Sequence, residues 1–278
     1  GNGRFFFFFF SHLLSSSYEE VTRIGQQTFD ELSKIIPKYI HRAGPKKYCL
    51  AIDQEMKKIA EEIFPRTAPV AHHDHDPVYL VPLTERDTEE YLIANMLYPY
   101  TQLSFADLHH HVCTLDTATR NRIKKTYIGD RASRRDRPGR ALESGYTHTF
   151  DLCTDFGTYK DLMRHRMSTQ QRQIFSPMLG MIIPQDLHDA GFSDRITACH
   201  ERVAELYQRL VLEVGNSASY VVLHGHRVRW LMGLNDRSLM HMLELRTTKQ
   251  GHPQYRKLCQ LMHSAVATRD PWRADMMK

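Results

Sequence analysis

Apolar residues recur at three- and four-residue intervals over most of this chain and alternate with polar ones in only a few short stretches. From Tyr18 to about Ala43, Val21, Ile24, Phe29, Leu32, Ile35 and Ile36 fall on one face with charges between them, predicting an amphipathic helix broken near Pro37. A second helix is predicted from Cys49 to Phe64, and three more over 86–98, 105–113 and 116–126, the last opened by Asp116 or Thr117 as N-cap. Alternation in VYLVPL (78–83) and YTHTFDL (146–152) reads as strand. The pattern then predicts a helix through Arg164 and Arg166, a break at Pro184, and a long helix from about Asp194 to Val214 opened by Ser193. Tyr220–Leu223 fits a strand or a helix start. Helices are predicted from Val228 to Leu234, Arg237 to Arg246 and His252 to Ala267. Many helices with a few strands make the fold class α+β, predominantly helical, and no internal repeat is present.

Prolines at 65, 69, 77 and 82 punctuate a linker-like segment, so a boundary is expected near residue 76. Residues 18–76 then form an N-terminal helical extension and linker, and 77–278 the main domain. Residues 1–17, with their phenylalanine run and serine cluster, imitate a secretory signal without its small-x-small cleavage pattern, and read as a disordered or non-native leader. The length of 278 residues, 41% hydrophobic and 25% charged, suits a globular chain and excludes disordered and collagenous classes. No run approaches the roughly 18 apolar residues of a membrane helix, so no membrane partner is expected. Five scattered cysteines without metal-type spacing fit a reducing compartment, the cytoplasm. The net charge of +5 suits an anionic partner without naming one.

Three polar clusters carry candidate chemistry. His72, His73, Asp74, His75 and Asp76 offer metal-ligand types, but neighbours packed side by side in a loop seldom converge on one ion, and no metal is assigned. Arg131, Arg134, Arg135, Arg137 and Arg140 form a basic loop for phosphate or, with less support because no aromatics interleave, for nucleic acid. Arg164, His165 and Arg166 concentrate fixed positive charge at one place. Further along, NDRSLMHMLELR (235–246) offers Asn235 as a helix cap, Leu239, Met242 and Leu243 as core, and Arg246 at the helix end.

Taken together, RHR at 164–166, NDRSLMHMLELR at 235–246, HPQ at 252–254 and, upstream, RALESGYTHTFDL at 140–152 resemble in order the motifs of the flavin-dependent thymidylate synthases, with this chain a diverged member. The resemblance covers about residues 88–267. It implies a mixed sheet flanked by helices and a homotetramer whose subunits share FAD sites. It further implies reductive methylation of dUMP, or a related uridine nucleotide, with methylenetetrahydrofolate and NADPH as co-substrates. By matching position, Arg164, His165, Arg166, Glu143, Asn235 and His241 would bind the cofactor. Arg246 and His252 would be catalytic, and Arg246, Arg172 and Ser176 would meet the substrate. Continued from RHR without gaps, the family's glutamate falls at Arg172, its serine at Ile174 and a nucleotide-binding arginine at Ser176; Asp161 and Ser219 are further departures. The competing reading is a non-catalytic module that keeps the fold and binds RNA or an anion through the Arg131–Arg140 loop.

Overall fold

A computed structural model of the chain describes residues 9–10, 13–16, 19–40, 44, 47–65, 88–145 and 147–277. The 1–17 leader is therefore described only in part. The HHDHD cluster, the VYLVPL strand and the expected boundary near 76 lie outside the described residues. The chain divides into two compact units, Gly1–Gly145 and Tyr146–Lys278.

The first unit is helical. Helix α1 (Glu19–Ile35) stops where Pro37 removes a donor; Phe29, Leu32 and Ile36 pack on the buried pair Phe10 and Ile40. Helix α2 (Lys47–Ile63) buries Met56, Ile59 and Ala60. Helix α3 (Glu89–Leu97) buries six of its residues, Tyr91 to Ala94, Met96 and Leu97, and packs on α4 (Phe105–Thr114) and α5 (Thr117–Ile128). Side chains cap all three helices, at Asp116 as the sequence predicts: Thr88 accepts from Tyr91 N, Ser104 from Asp107 N and Asp116 from Thr119 N. Glu89 and Glu90 pair with Lys124 and Arg120 of α5. The basic loop folds back on itself, with Arg131 Nε donating to Asp136 O at 2.6 Å and Asp136 Oδ2 accepting from Ser133 N at 2.9 Å. Gly139 lies against the Tyr127 ring, whose hydroxyl accepts the Ala141 N–H at 2.9 Å.

The second unit holds a three-stranded sheet of order β1–β3–β2, formed by β1 (His148–Asp155), β2 (Thr169–Arg172) and β3 (Arg227–Leu234). Among the described residues its pairings are antiparallel, with His148 opposite Leu234, Asp155 opposite Arg227 and Thr169 opposite Gly233. The segment read as a helix from Val228 to Leu234 is thus the central strand. Val228, Trp230 and Met232 are buried with period two, and its apolar run is too short for periodicity alone to separate strand from helix. Helix α6 (Phe156–Leu162) follows β1 and ends before the arginines, so the expectation of a helix through Arg164 and Arg166 is also corrected. Helix α7 (Ser193–Val214) begins at the expected place, but Ser193 does not cap it: its Oγ is buried without a hydrogen-bond partner. Helices α8 (Asp236–Arg246) and α9 (Pro253–Arg269) match the sequence pattern, and a last helix, α10 (Pro271–Met276), packs on α9. No helix among the described residues is long and apolar enough to cross a membrane. The α+β, predominantly helical class is the observed one.

The second unit also buries an ionic cluster. Asp236, at the first turn of α8 and fully buried, receives His148 Nε2 of β1 at 2.6 Å on one oxygen and Arg273 Nη1 of α10 on the other. This clasp ties the first strand and the last helix of the unit to the start of α8.

Candidate functional site

Asp155 opens α6 by accepting from Thr158 N at 2.7 Å and from Thr158 Oγ1 at 2.8 Å, and the helix stops at Leu162. The chain then turns through Arg164–Arg166. His165 N donates to Leu162 O at 3.0 Å, while His165 O accepts from Ser168 Oγ at 2.5 Å and Gln170 Nε2 at 3.3 Å. Helix α8, capped by Asn235 through Ser238 N at 2.9 Å, brings Arg246 to this turn on its last residue. Arg246 Nε donates to His165 Nε2 at 3.0 Å and its Nη2 to Asp161 O at 2.8 Å, while its guanidinium carbon lies 5.2 Å from the Tyr255 ring centroid.

That geometry fixes the imidazole. Nε2 accepts, so the ring proton of neutral His165 sits on Nδ1. Burial, the Arg246 guanidinium and His241 push its pKa down from 6.5 to about 4. The His241 ring lies 6.3 Å from it, centroid to centroid. The turn therefore carries a neutral imidazole at the residue between two arginines. Arg164 is exposed and reaches Asp161 at 3.7 Å, and Arg166 is exposed with no side-chain partner among the described residues.

The other sequence candidates make local contacts. His252 caps α9 through Gln254 N at 3.3 Å. Arg172 stacks on the Phe175 ring at 4.3 Å, and Ser176 caps the turn that follows by accepting from Met178 N at 3.1 Å. Glu143 belongs to the first unit, where it meets Arg140 at 3.3 Å.

Beside the turn opens a cleft of about 1150 Å³. Lys160, Asp161 and Arg164 from α6 and around the turn line it, as do Arg195, Cys199 and Arg202 from α7 and, at the start of α9, the cap His252 and Gln254. Met181, Ile182, Leu187, Phe192 and Leu223 supply apolar wall. The α7 residues were missed as site candidates, although 195, 199 and 202 are spaced i, i+4, i+7 and so share one face. Behind the wall, buried His226 accepts the Leu223 N–H on Nδ1 at 2.8 Å, which leaves Nε2–H to donate to His200 Nδ1 at 3.1 Å. Burial and the neighbouring His200 hold its pKa below the usual value.

An antiparallel sheet with an Arg-His-Arg turn, closed by an arginine from a following helix, makes this an α+β protein in which the separated motif segments meet. The chain belongs to the family of the thymidylate synthase complementing protein, whose model matches residues 84–272. This is the flavin-dependent thymidylate synthase family of the motif resemblance, and the chain is a diverged member. A UPF0159 protein of Chlamydia muridarum is 32% identical over 266 residues, 93% of this chain and 49% of that protein. Another, of Chlamydia pneumoniae, is 30% identical over 273 residues, 93% of this chain and 49% of that protein. UPF0159 protein Ta1429 of Thermoplasma acidophilum is 23% identical over 281 residues, 100% of this chain and 55% of that protein. The chain spans about half the length of these curated relatives. The solved structure of a UMP/dUMP methylase, PolB from Streptomyces cacaoi bound with 5-Br dUMP, shares the fold with a TM-score of 0.52 and 17% identity, over 68% of this chain and 89% of that one.

Proposed function

We propose that the chain works in flavin-dependent methylation of a uridine nucleotide, dUMP or a close relative, with methylenetetrahydrofolate and NADPH as co-substrates. The observation that carries this reading is the direct bond from Arg246 to His165, which joins two motif segments 81 residues apart into one turn beside an amphipathic cleft. The donor set fits FAD: two exposed guanidiniums flanking a neutral N–H suit the fork geometry and charge of a pyrophosphate. Bound flavin would supply hydride chemistry that no side chain here offers.

The chain's own residues would bind and orient. Arg164 and Arg166 would take the anionic part of the cofactor, and His165 would donate through Nδ1. Asn235, His241 and Glu143 are the further cofactor residues by motif match alone, with Asn235 also capping α8. Arg246 engages Nε and Nη2 locally and has Nη1 left for a uracil oxygen, where a fixed cation stabilises charge developing on the ring. His252 lines the cleft at the start of α9. A homotetramer and a cytoplasmic setting belong to the same proposal.

The test is the visible absorption spectrum of the purified chain with added FAD, followed by titration with dUMP and with UMP. Flavin bands that shift with either nucleotide support the reading. A chain that retains no flavin, and instead binds RNA with a steep salt dependence, would replace it with the binding-module reading.

A further inference from the structure

Four cationic side chains line the cleft, and three of them, Lys160, Arg195 and Arg202, have no carboxylate partner among the described residues. Lys160 Nζ lies 3.5 Å from His224 Nε2 and 5.7 Å from the Phe156 ring centroid. Arg195 sits 5.7 Å from the Phe192 ring centroid, and Arg202 Nε donates to Ala198 O at 3.3 Å. Two of the lining acids are engaged elsewhere, Asp155 in capping α6 and Asp161 with Arg164. The third, Asp194, sits in the first turn of α7, where the helix N-terminus favours a negative charge. Arg195 and Arg202 are seven residues apart on one face, about 10 Å along the axis. Met181, Ile182, Pro184, Leu187, Phe192 and Leu223 add apolar wall against which a ring can lie. Arg172 and Ser176, the substrate-side candidates from sequence, are occupied by Phe175 and by a turn cap.

We propose that Lys160, Arg195 and Arg202 form the phosphate-binding end of this cleft, so that a nucleoside monophosphate lies with its phosphate against α6 and α7 and its ring against Met181, Ile182 and Leu223. The identity of the ring as uracil rests on the function proposed above; the phosphate site rests on the cations alone. A nucleotide phosphate and the pyrophosphate of a dinucleotide offer the same oxygen chemistry, and the experiment separates them.

Isothermal titration of the full chain with UMP, uridine, inorganic pyrophosphate and FAD is compared across wild type, Lys160→Ala, Arg195→Ala/Arg202→Ala and Arg209→Ala, a control on α7 outside the cleft lining. Circular dichroism checks that each variant is folded; the altered side chains are exposed and support no core. The expected result is that pyrophosphate competes with UMP, and that UMP binding weakens about tenfold or more in Arg195→Ala/Arg202→Ala and measurably in Lys160→Ala. Uridine and FAD binding and the Arg209→Ala control stay at the wild-type level. Equal UMP affinity in wild type and the double variant overturns the proposal, as does a wild-type chain that binds neither UMP nor pyrophosphate. If the double variant loses FAD instead of UMP, the cations serve the dinucleotide and the monophosphate assignment falls. Pyrophosphate binding lost in the double variant, with no added affinity from uracil, keeps the phosphate site and sinks the uridine reading instead.

Discussion

Replacing Arg273 with methionine removes one cation from a carboxylate that has no access to water. Asp236 is 0% exposed and Arg273 2% exposed, and the carboxylate is held between Arg273 and His148. Withdrawing these ions from solvent costs several kcal/mol each, offset in the folded state by their mutual attraction and hydrogen bonds. Methionine fills much of the arginine's volume with an adaptable apolar chain, so the packing loss is small and the electrostatic loss dominates. Breaking such a buried pair costs about 3–5 kcal/mol, a large share of the roughly 5–15 kcal/mol that holds a domain together. With a urea slope of roughly 2 kcal/mol per molar, the unfolding midpoint of the second unit should fall by about 2 M. Urea titration followed by far-ultraviolet circular dichroism measures it. A second change, Asp236→Leu in the Arg273→Met background, removes the half-paired charge and should recover part of the loss; His148 Nε2, left without its acceptor, keeps the rest. A midpoint unchanged in Arg273→Met, or a double variant no better than the single one, would refute the clasp as the unit's ionic tie.

The neutral His165 makes stability depend on acid. Its folded pKa of about 4 lies below the ordinary 6.5, so its contribution is complete above about pH 6.5 and is lost as the pH falls from 6.5 toward 4. Arg246→Gln should raise the pKa seen by histidine ring NMR, and a wild-type His165 titrating near 6.5 would contradict the geometry. Asn235→Ala should cost about 0.5–2 kcal/mol through the lost cap, whereas Asn235→Ser keeps the cap. Flavin affinity that falls in Asn235→Ser, with the denaturation midpoint unchanged, would separate binding from capping. In the first unit, a methyl group at Gly139 would collide with the Tyr127 hydroxyl that holds Ala141 N–H; Gly139→Ala should cost about 1–3 kcal/mol. Thermal unfolding of that variant at wild-type temperature would show that the loop yields without strain.

The helices were legible because their signals are local. Asp116, Ser104 and Asn235 cap helices whose apolar faces repeat every three or four residues. The sheet was harder to see. Thr169–Arg172 is wholly polar and becomes a strand only through its pairing with β3, and β3 itself, RVRWLMGL, carries an apolar run that fits either period. Of the site, the Arg-His-Arg turn and Arg246 could be read as matching motifs. The bond between them could not, because it depends on α6 stopping at Leu162 and on α8 ending beside it. Arg195 and Arg202 have a readable spacing on α7; their meeting with Lys160 of α6 across a cleft is a property of the fold. The pairing of Asp236 with Arg273 and His148 joins residues 37 and 88 positions apart, and no local pattern announces it.

Trp230 lies at the centre of the sheet, buried and edge-on to Tyr159 with ring centroids 5.0 Å apart. The chain has two tryptophans, and the other, Trp272, stands 4.9 Å from the Arg273 guanidinium carbon at the edge of the buried clasp. Both fall within Tyr146–Lys278. Indole emission thus reads two places in one unit, the middle strand and the last helix, while the helices of Gly1–Gly145 contribute only tyrosine light. A shift in indole emission therefore follows the Tyr146–Lys278 unit alone, whereas tyrosine, present in both units, reports on the whole chain.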